Sequence, residues 1–457
     1  MLLMNTPNLS RRGFLGIVLL AATMASVAAP TLDLERLDPV ANDQPVPIRD
    51  FFRPAYFSSL QLNFAGIHVA ALVSGGFDKY RMMVVDLAKN DLEVLPGIGR
   101  MDVNRFDWST DDRLIFSLSL ENQWGGALAA VNGGSWDNPY PLIQSGRHSL
   151  IGIPESDRLR RLPWVSSLGR GKDGGIVKLN TDVNSAHCVD LQRANVKSYD
   201  YSLGDDYNRK SVPASFPVPE GGIESGDLSD TDGDLAYSYT LKDGISTLQH
   251  FNGDAWSASP VDREFVDVLG VSEDRAHLNV NQDRYDGAPS PVREMDAMSG
   301  EMGRVLLEDN GYDFEGDLYR DRAPRLPVGA VFDWATPAMV WFEQTYQDLQ
   351  KLFEGIFPRK IVRIVSGNQP GSVFVWAVSS DVDPMSHYVV DLDKKSLGPL
   401  KASRPWIDPK GMNRMKIIKY RTADGHKLDA YLMLPKGRIE GLAGAPRGVS
   451  SWWSGGA

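Results

Sequence analysis

A single cysteine, Cys188, stands in the 457 residues. No intramolecular disulfide can form, and a cysteine-rich zinc site is excluded. Cys188 itself reads as a small, buried apolar residue. Histidine is also sparse, at seven: His68, His148, His187, His250, His277, His387 and His426. None pairs with another at the helical spacing of a zinc motif, so each reads as a satisfied structural residue and no metal site is expected. Positive charge is in deficit, with 48 Lys and Arg against 59 Asp and Glu and a net charge of −11. With no basic stripe to offset that balance, nucleic acid is excluded as a partner. Glycine pairs such as Gly125-Gly126 and Gly133-Gly134 lack the Lys-Ser/Thr ending of a phosphate loop, and no cofactor is expected. Asp230-Thr231-Asp232-Gly233-Asp234 fails the EF-hand register, because Leu228 and Tyr239 would occupy the first and last ligand positions. No Pro- or Gly-rich tract marks a long linker.

What is present begins with an export pattern. Arg11 and Arg12 precede Phe14 and Leu15, the apolar run from Ile17 to Ala22, and the small residues Ser26 to Ala29. This is the charged, apolar, small-residue order of a cleaved signal. The paired arginines with Phe-Leu resemble the twin-arginine type, so Arg11, Arg12, Phe14 and Leu15 are the predicted signal residues. Cleavage after Ala28 removes two arginines and no acid, taking the net charge from −11 to −13. The expected destination is the periplasm or beyond, with no stable membrane span after cleavage.

Residues 29–410 read as mainly β. Short apolar or β-branched runs alternate with turns, as in Val69 to Val73, Met82 to Val85 and Leu114 to Phe116. One phrase recurs: strand, Ser/Asp/Gly turn, strand. It runs from Phe106 to Phe116, from Val271 to Leu278, and more loosely from Asp227 to Tyr237 and from Ile364 to Phe374. A second turn carries aspartate, as in Val84-Val85-Asp86-Leu87 and Val389-Val390-Asp391-Leu392. A hairpin unit repeated every 40–50 residues or so predicts a β-propeller of about seven blades, each of four strands. One helical insertion is predicted over 337–355, with Thr336 as cap, Pro337 at the first position and apolar residues at three- and four-residue steps. Trp136, Trp256, Trp341 and Trp376, with Trp124, Trp164 and Trp334, could line a sugar cleft or pack between blades.

Residues 411–457 change character. Met415 to Tyr420 reads as a strand, Arg421 to Gly425 as an Asp-Gly turn, and His426 to Leu434 as the returning strand, ending Leu434-Pro435-Lys436-Gly437. A strand, an Asp-Gly turn and a strand ending Leu-Pro-x-Gly resemble the opening hairpin of the α/β-hydrolase domain in the prolyl oligopeptidase family of serine peptidases. That family places the hairpin directly after a β-propeller. The segment from Val378 to Pro384, followed by Tyr388 to Asp391, also resembles the last blades of bacterial members.

The resemblance implies peptide substrates and a Ser-Asp-His triad with a His-Gly-Gly-Pro oxyanion segment. The chain contains no Gly-x-Ser-x-Gly elbow, and its near miss, Gly270 to Asp274, falls in a propeller turn. No catalytic residue can be assigned, and 411–457 reads as a truncated hydrolase start. The codons of Trp452 and Trp453 read Gly-Gly in a shifted frame, and codon choice permits His before and Pro after. A single frame shift is therefore the expected cause. The chain is expected to be inactive by itself, with unpaired strand edges in its tail that favour aggregation. A stand-alone periplasmic propeller that binds a partner or small ligand is the alternative.

Overall fold

The computed structural model describes residues 46–74, 79–96, 101–120, 128–134, 136–143, 148–152, 164–167, 169–170, 175–178, 189–190, 197–198, 214–217, 219–220, 222–223, 225–261, 265–284, 286–309, 311–320, 326–333, 336–423, 425 and 427–433. Within them the chain is mainly β. Six four-stranded antiparallel sheets and one three-stranded sheet succeed one another, each with its strands side by side in chain order. The three-stranded sheet (Gly316–Arg320, Pro327–Asp333, Pro337–Trp341) is the sixth and the sheet of Ile361–Gly367, Val373–Ser379, Ser386–Asp391 and Ser396–Ala402 is the last. The repeat expected from the sequence is a propeller with six four-stranded blades.

The recurring phrase makes the hairpin between the first and second strand of a sheet. In the first sheet Asn63 Oδ1 accepts from the backbone N–H groups of Ile67 and His68. In the fourth Asp230 Oδ1 accepts from Asp232 and Asp234. In the fifth Asp274 Oδ1 accepts from Ala276 and His277, and in the last Asn368 Oδ1 accepts from Ser372 and Val373. A side-chain carbonyl here takes up amides that the tight turn would otherwise leave bare. The second aspartate turn works the same way between third and fourth strands, where Asp86 accepts from Ala88 and Lys89, and Asp296 from Met298 and Ser299.

These turns also join neighbouring sheets. Ala65 N–H donates to Asp111 Oδ1 at 2.7 Å, Gln369 N–H donates to Phe64 O at 2.8 Å, and Arg275 pairs with Asp230 and Asp232. The acidic loop that fails as a calcium site is thus an Arg-bound blade contact. Between the first and last sheets Gly66, at φ +75°, lets the Asn368 side chain approach so closely that a Cβ would meet its Nδ2 at 2.8 Å. Leu62 N–H donates to Ser366 Oγ at 3.0 Å across the same seam, and Leu62, Val69 and Ala71 share a core with Val373, Val375 and Leu400. The ring therefore closes by packing and hydrogen bonds, with no strand shared between the two sheets.

Asn368 is 1% exposed. Asn368→Ala leaves two amides of a buried turn unpaired and is expected to cost about 1–3 kcal/mol. A urea titration checks this: the midpoint should fall with the slope unchanged.

The predicted helical insertion starts too early. Pro337–Trp341 is a strand, and the helix runs from Gln344 to Ile356. Ala338 to Trp341 pair with Phe332 back to Gly329, so sheet hydrogen bonds win over the Thr-Pro start signal. Pro337, first in its strand, gives up no interior ladder donor. The helix buries Tyr346, Leu349 and Phe353 against the sixth and last sheets, which also hold Trp341 and Trp376. Trp136, Trp341 and Trp376 are core residues, while Trp256 is half-buried and packs on Phe251. Trp124, Trp334 and Cys188 lie outside the described residues, as do Arg11, Arg12, Phe14 and Leu15. Among the described residues no helix is long and apolar enough to cross a membrane.

Candidate functional site

Strands alternate in direction, so one face of the ring collects the starts of first and third strands and the ends of second and fourth. Both ends of the ring emerge there, at Phe57 and Ala402. The incoming and outgoing segments hold each other. Tyr56 N–H donates to Ser403 O at 2.6 Å, Trp406 Nε1–H donates to Asp50 O at 3.0 Å, and the Arg53 guanidinium lies 4.7 Å over the Trp406 ring.

Beneath this crossing a cavity of about 360 Å³ opens at the seam between first and last sheets. Its polar groups come from Ser58 and Ser59 in the first strand, Arg363 and His387 in the last sheet, and Ser403 and Arg404 just past it. Leu60, Val331, Ile364 and Val365 supply apolar wall. Ser59 adopts φ 53°, where the first strand slips register between Ser58 and Gln61. A bulge beside a cavity turns side chains that a regular strand would align with its neighbours. Among the described residues no Asp or Glu lines the cavity.

His387 is 3% exposed, with its ring 5.3 Å from that of Phe57. Burial pushes its pKa down to about 4, against a smaller upward push from the backbone of Lys401. Its Nδ1 has no hydrogen-bond partner, so this histidine is not the satisfied residue the sequence implied. Arg404 has a buried Nε without a partner. Neither Arg404 nor Arg363 makes an ion pair or side-chain hydrogen bond among the described residues.

The predicted hairpin is present as Met415–Arg421 paired with Lys427–Met433. It sits on the same face of the ring. Met415 N–H donates to Asp381 Oδ2 at 2.8 Å, Arg414 pairs with Asp381, and Tyr312 donates to Asp429. Met415, Ile417, Ile418 and Met433 are exposed, and among the described residues its sheet has two strands.

The near-miss serine is not a nucleophile. Ser272 Oγ donates to Asp274 Oδ1 at 2.6 Å and lies 2.8 Å from His277 O. His277 Nδ1 meets the other Asp274 oxygen at 2.6 Å. The carboxylate stands between serine and histidine, whereas a triad needs the imidazole there. Burial raises the Asp274 pKa, but hydrogen bonds from Ser272 and His277 outweigh it and hold the carboxyl well below its usual range. These bonds lock a turn.

No sequence signal separates the cavity residues from their neighbours. Leu62 and Ser366, which flank the seam, are 304 positions apart. The change of character at 411–457 marked the hairpin, but not Arg404 as part of a cavity.

No protein-family model and no curated protein matches the chain. Among solved structures it is similar to prolyl oligopeptidase B from Galerina marginata, at 12% identity and a TM-score of 0.51, over 86% of this chain and 57% of that one. It is also similar to the acylaminoacyl peptidase of Pyrococcus horikoshii, at 10% identity and a TM-score of 0.50, over 84% of this chain and 59% of that one. The chain thus spans less than two thirds of either. The fold is a β-propeller, similar in structure to the propeller that such peptidases carry. The resemblance read from the sequence is borne out for the propeller, at the level of fold.

Proposed function

We propose that this chain is the propeller part of an exported serine peptidase of the prolyl oligopeptidase type, acting on peptides, and that by itself it performs no hydrolysis. The observation that carries the reading is geometric. Both ends of the ring, the docked hairpin and the mouth of the seam cavity share one face, so a catalytic domain continuing from the hairpin would lie over that face. The fold likeness supports the same reading. In this reading the three-stranded sheet completes a ring of seven blades, with the helix Gln344–Ile356 covering its outer side. Arg11 and Arg12 direct export, and the propeller restricts which peptides reach the catalytic domain. A single frame shift near the codons of Trp452 and Trp453 belongs to the proposal.

The test is to resequence the gene from the codons of Leu428 onward and assay the purified chain. We expect a continuing frame that encodes His-Gly-Gly-Pro and later Gly-x-Ser-x-Gly. We also expect no cleavage of peptidyl esters by residues 1–457. A confirmed stop with no such frame, or robust hydrolysis blocked by a serine-directed phosphonate, overturns the proposal.

A further inference from the structure

We propose that the seam cavity binds a carboxylate carried on a small apolar body, such as the free C-terminus of a short peptide. This goes beyond the peptidase reading and does not depend on it, because binding needs only the propeller.

Two arginines, Arg363 and Arg404, line one concavity, and among the described residues no acid lines it. Both are half-buried, and neither finds an ion pair or side-chain hydrogen bond among the described residues. A partly desolvated cation without a partner is costly, and in a chain with 59 acids against 48 bases a counter-charge would be easy to supply. The counter-charge is therefore expected to come from a ligand. The planar fork of arginine matches a carboxylate in a bidentate manner. The rest of the wall is largely apolar, from Leu60, Val331, Ile364 and Val365, which suits a hydrocarbon body rather than a bare inorganic anion. A volume of about 360 Å³ is at the lower end for small-ligand pockets.

His387 adds direction. It lines the cavity, and its buried Nδ1 has no hydrogen-bond partner. A neutral imidazole that carries its proton on Nε2 accepts a hydrogen bond at Nδ1. A peptide N–H next to the terminal carboxylate can donate it, and an aliphatic acid cannot.

The experiment uses the full chain and three probes: N-acetyl-Ala-Leu with a free carboxylate, its C-terminal amide, and decanoate. Binding is followed by calorimetry and by the rise in melting temperature that a ligand specific for the folded state must produce. The peptide acid should bind, and the amide about tenfold or more weaker, since a charge-assisted pair is lost. Arg363→Met and Arg404→Met should each weaken the acid by a similar factor. Neither variant should lower the melting temperature without ligand, because neither arginine has an internal partner to lose.

Arg363→Lys should fall between wild type and Met, keeping charge and losing the fork. Binding of decanoate but not of the peptide acid keeps the carboxylate site and assigns it to an aliphatic acid. Equal affinity for acid and amide, wild-type affinity in both Met variants, or no binding of any probe at millimolar concentration overturns the proposal.

Discussion

Replacing Trp376 by alanine is expected to destabilise the protein by about 3–5 kcal/mol. Trp376 is 0% exposed, and its ring stacks on Phe353 with centroids 4.0 Å apart and planes 15° from parallel. It belongs to the core that joins the last sheet, the sixth sheet and the helix Gln344–Ile356. The substitution therefore empties a large volume and removes the surface on which the helix rests. The indole Nε1 has no hydrogen-bond partner in that core. Trp376→Phe loses some volume but also removes a buried, unsatisfied donor, so its cost should be far smaller. Urea unfolding followed by circular dichroism separates the two variants. Equal losses for Ala and Phe would mean that volume at this position is not what anchors the helix.

Acid should weaken the fold through His387. In the unfolded chain this imidazole takes up its proton near 6.5, whereas burial lowers its folded pKa to about 4. Between those values the unfolded state binds more protons, so stability rises with pH and is lost as the pH falls through that window. The gap corresponds to about 3 kcal/mol once the pH is below both values. His68 and His250 are also lowered by burial and act in the same direction, with Asp86 partly opposing the effect at His68. His277 is raised by its hydrogen bond to Asp274, so its contribution has the opposite sign, present at low pH and lost as the pH rises through its folded pKa. His387→Phe fills nearly the same space and cannot titrate. It should keep its stability at pH 7.5 within about 1.5 kcal/mol and flatten the decline between pH 6.5 and 4. An undiminished decline in that variant would place the acid sensitivity elsewhere.

The seam is where the first and last sheets meet without sharing a strand among the described residues, and it holds both closure contacts and the cavity of about 360 Å³. Closure comes from one buried hydroxyl contact, the Gly66–Asn368 approach and the shared aliphatic core. The opposite end of the same strands carries the arginines and His387. A ring closed by packing can leave space at one rim and stay tight at the other.

What the sequence by itself determined are the features whose cause is local. The Asn, Asp and Ser residues at turns hydrogen-bond amides two to five positions away, so the hairpin phrase could be read directly and the propeller followed from its repetition. The final hairpin was legible for the same reason, from a turn with Gly425 at φ +95° between two apolar runs. The amphipathic face of the helix was legible through Tyr346, Leu349 and Phe353, but its start was not. Pro337 to Trp341 fit either period over so short a run, and the neighbouring strand Pro327–Asp333 decided it by offering a ladder. Only the tertiary structure made the cavity. Ser59, Arg363, His387 and Arg404 are unremarkable where they stand in the chain, and they become one site because ring closure brings its first and last sheets together. Contacts between distant segments depend on the curvature of the whole ring, which no local pattern encodes.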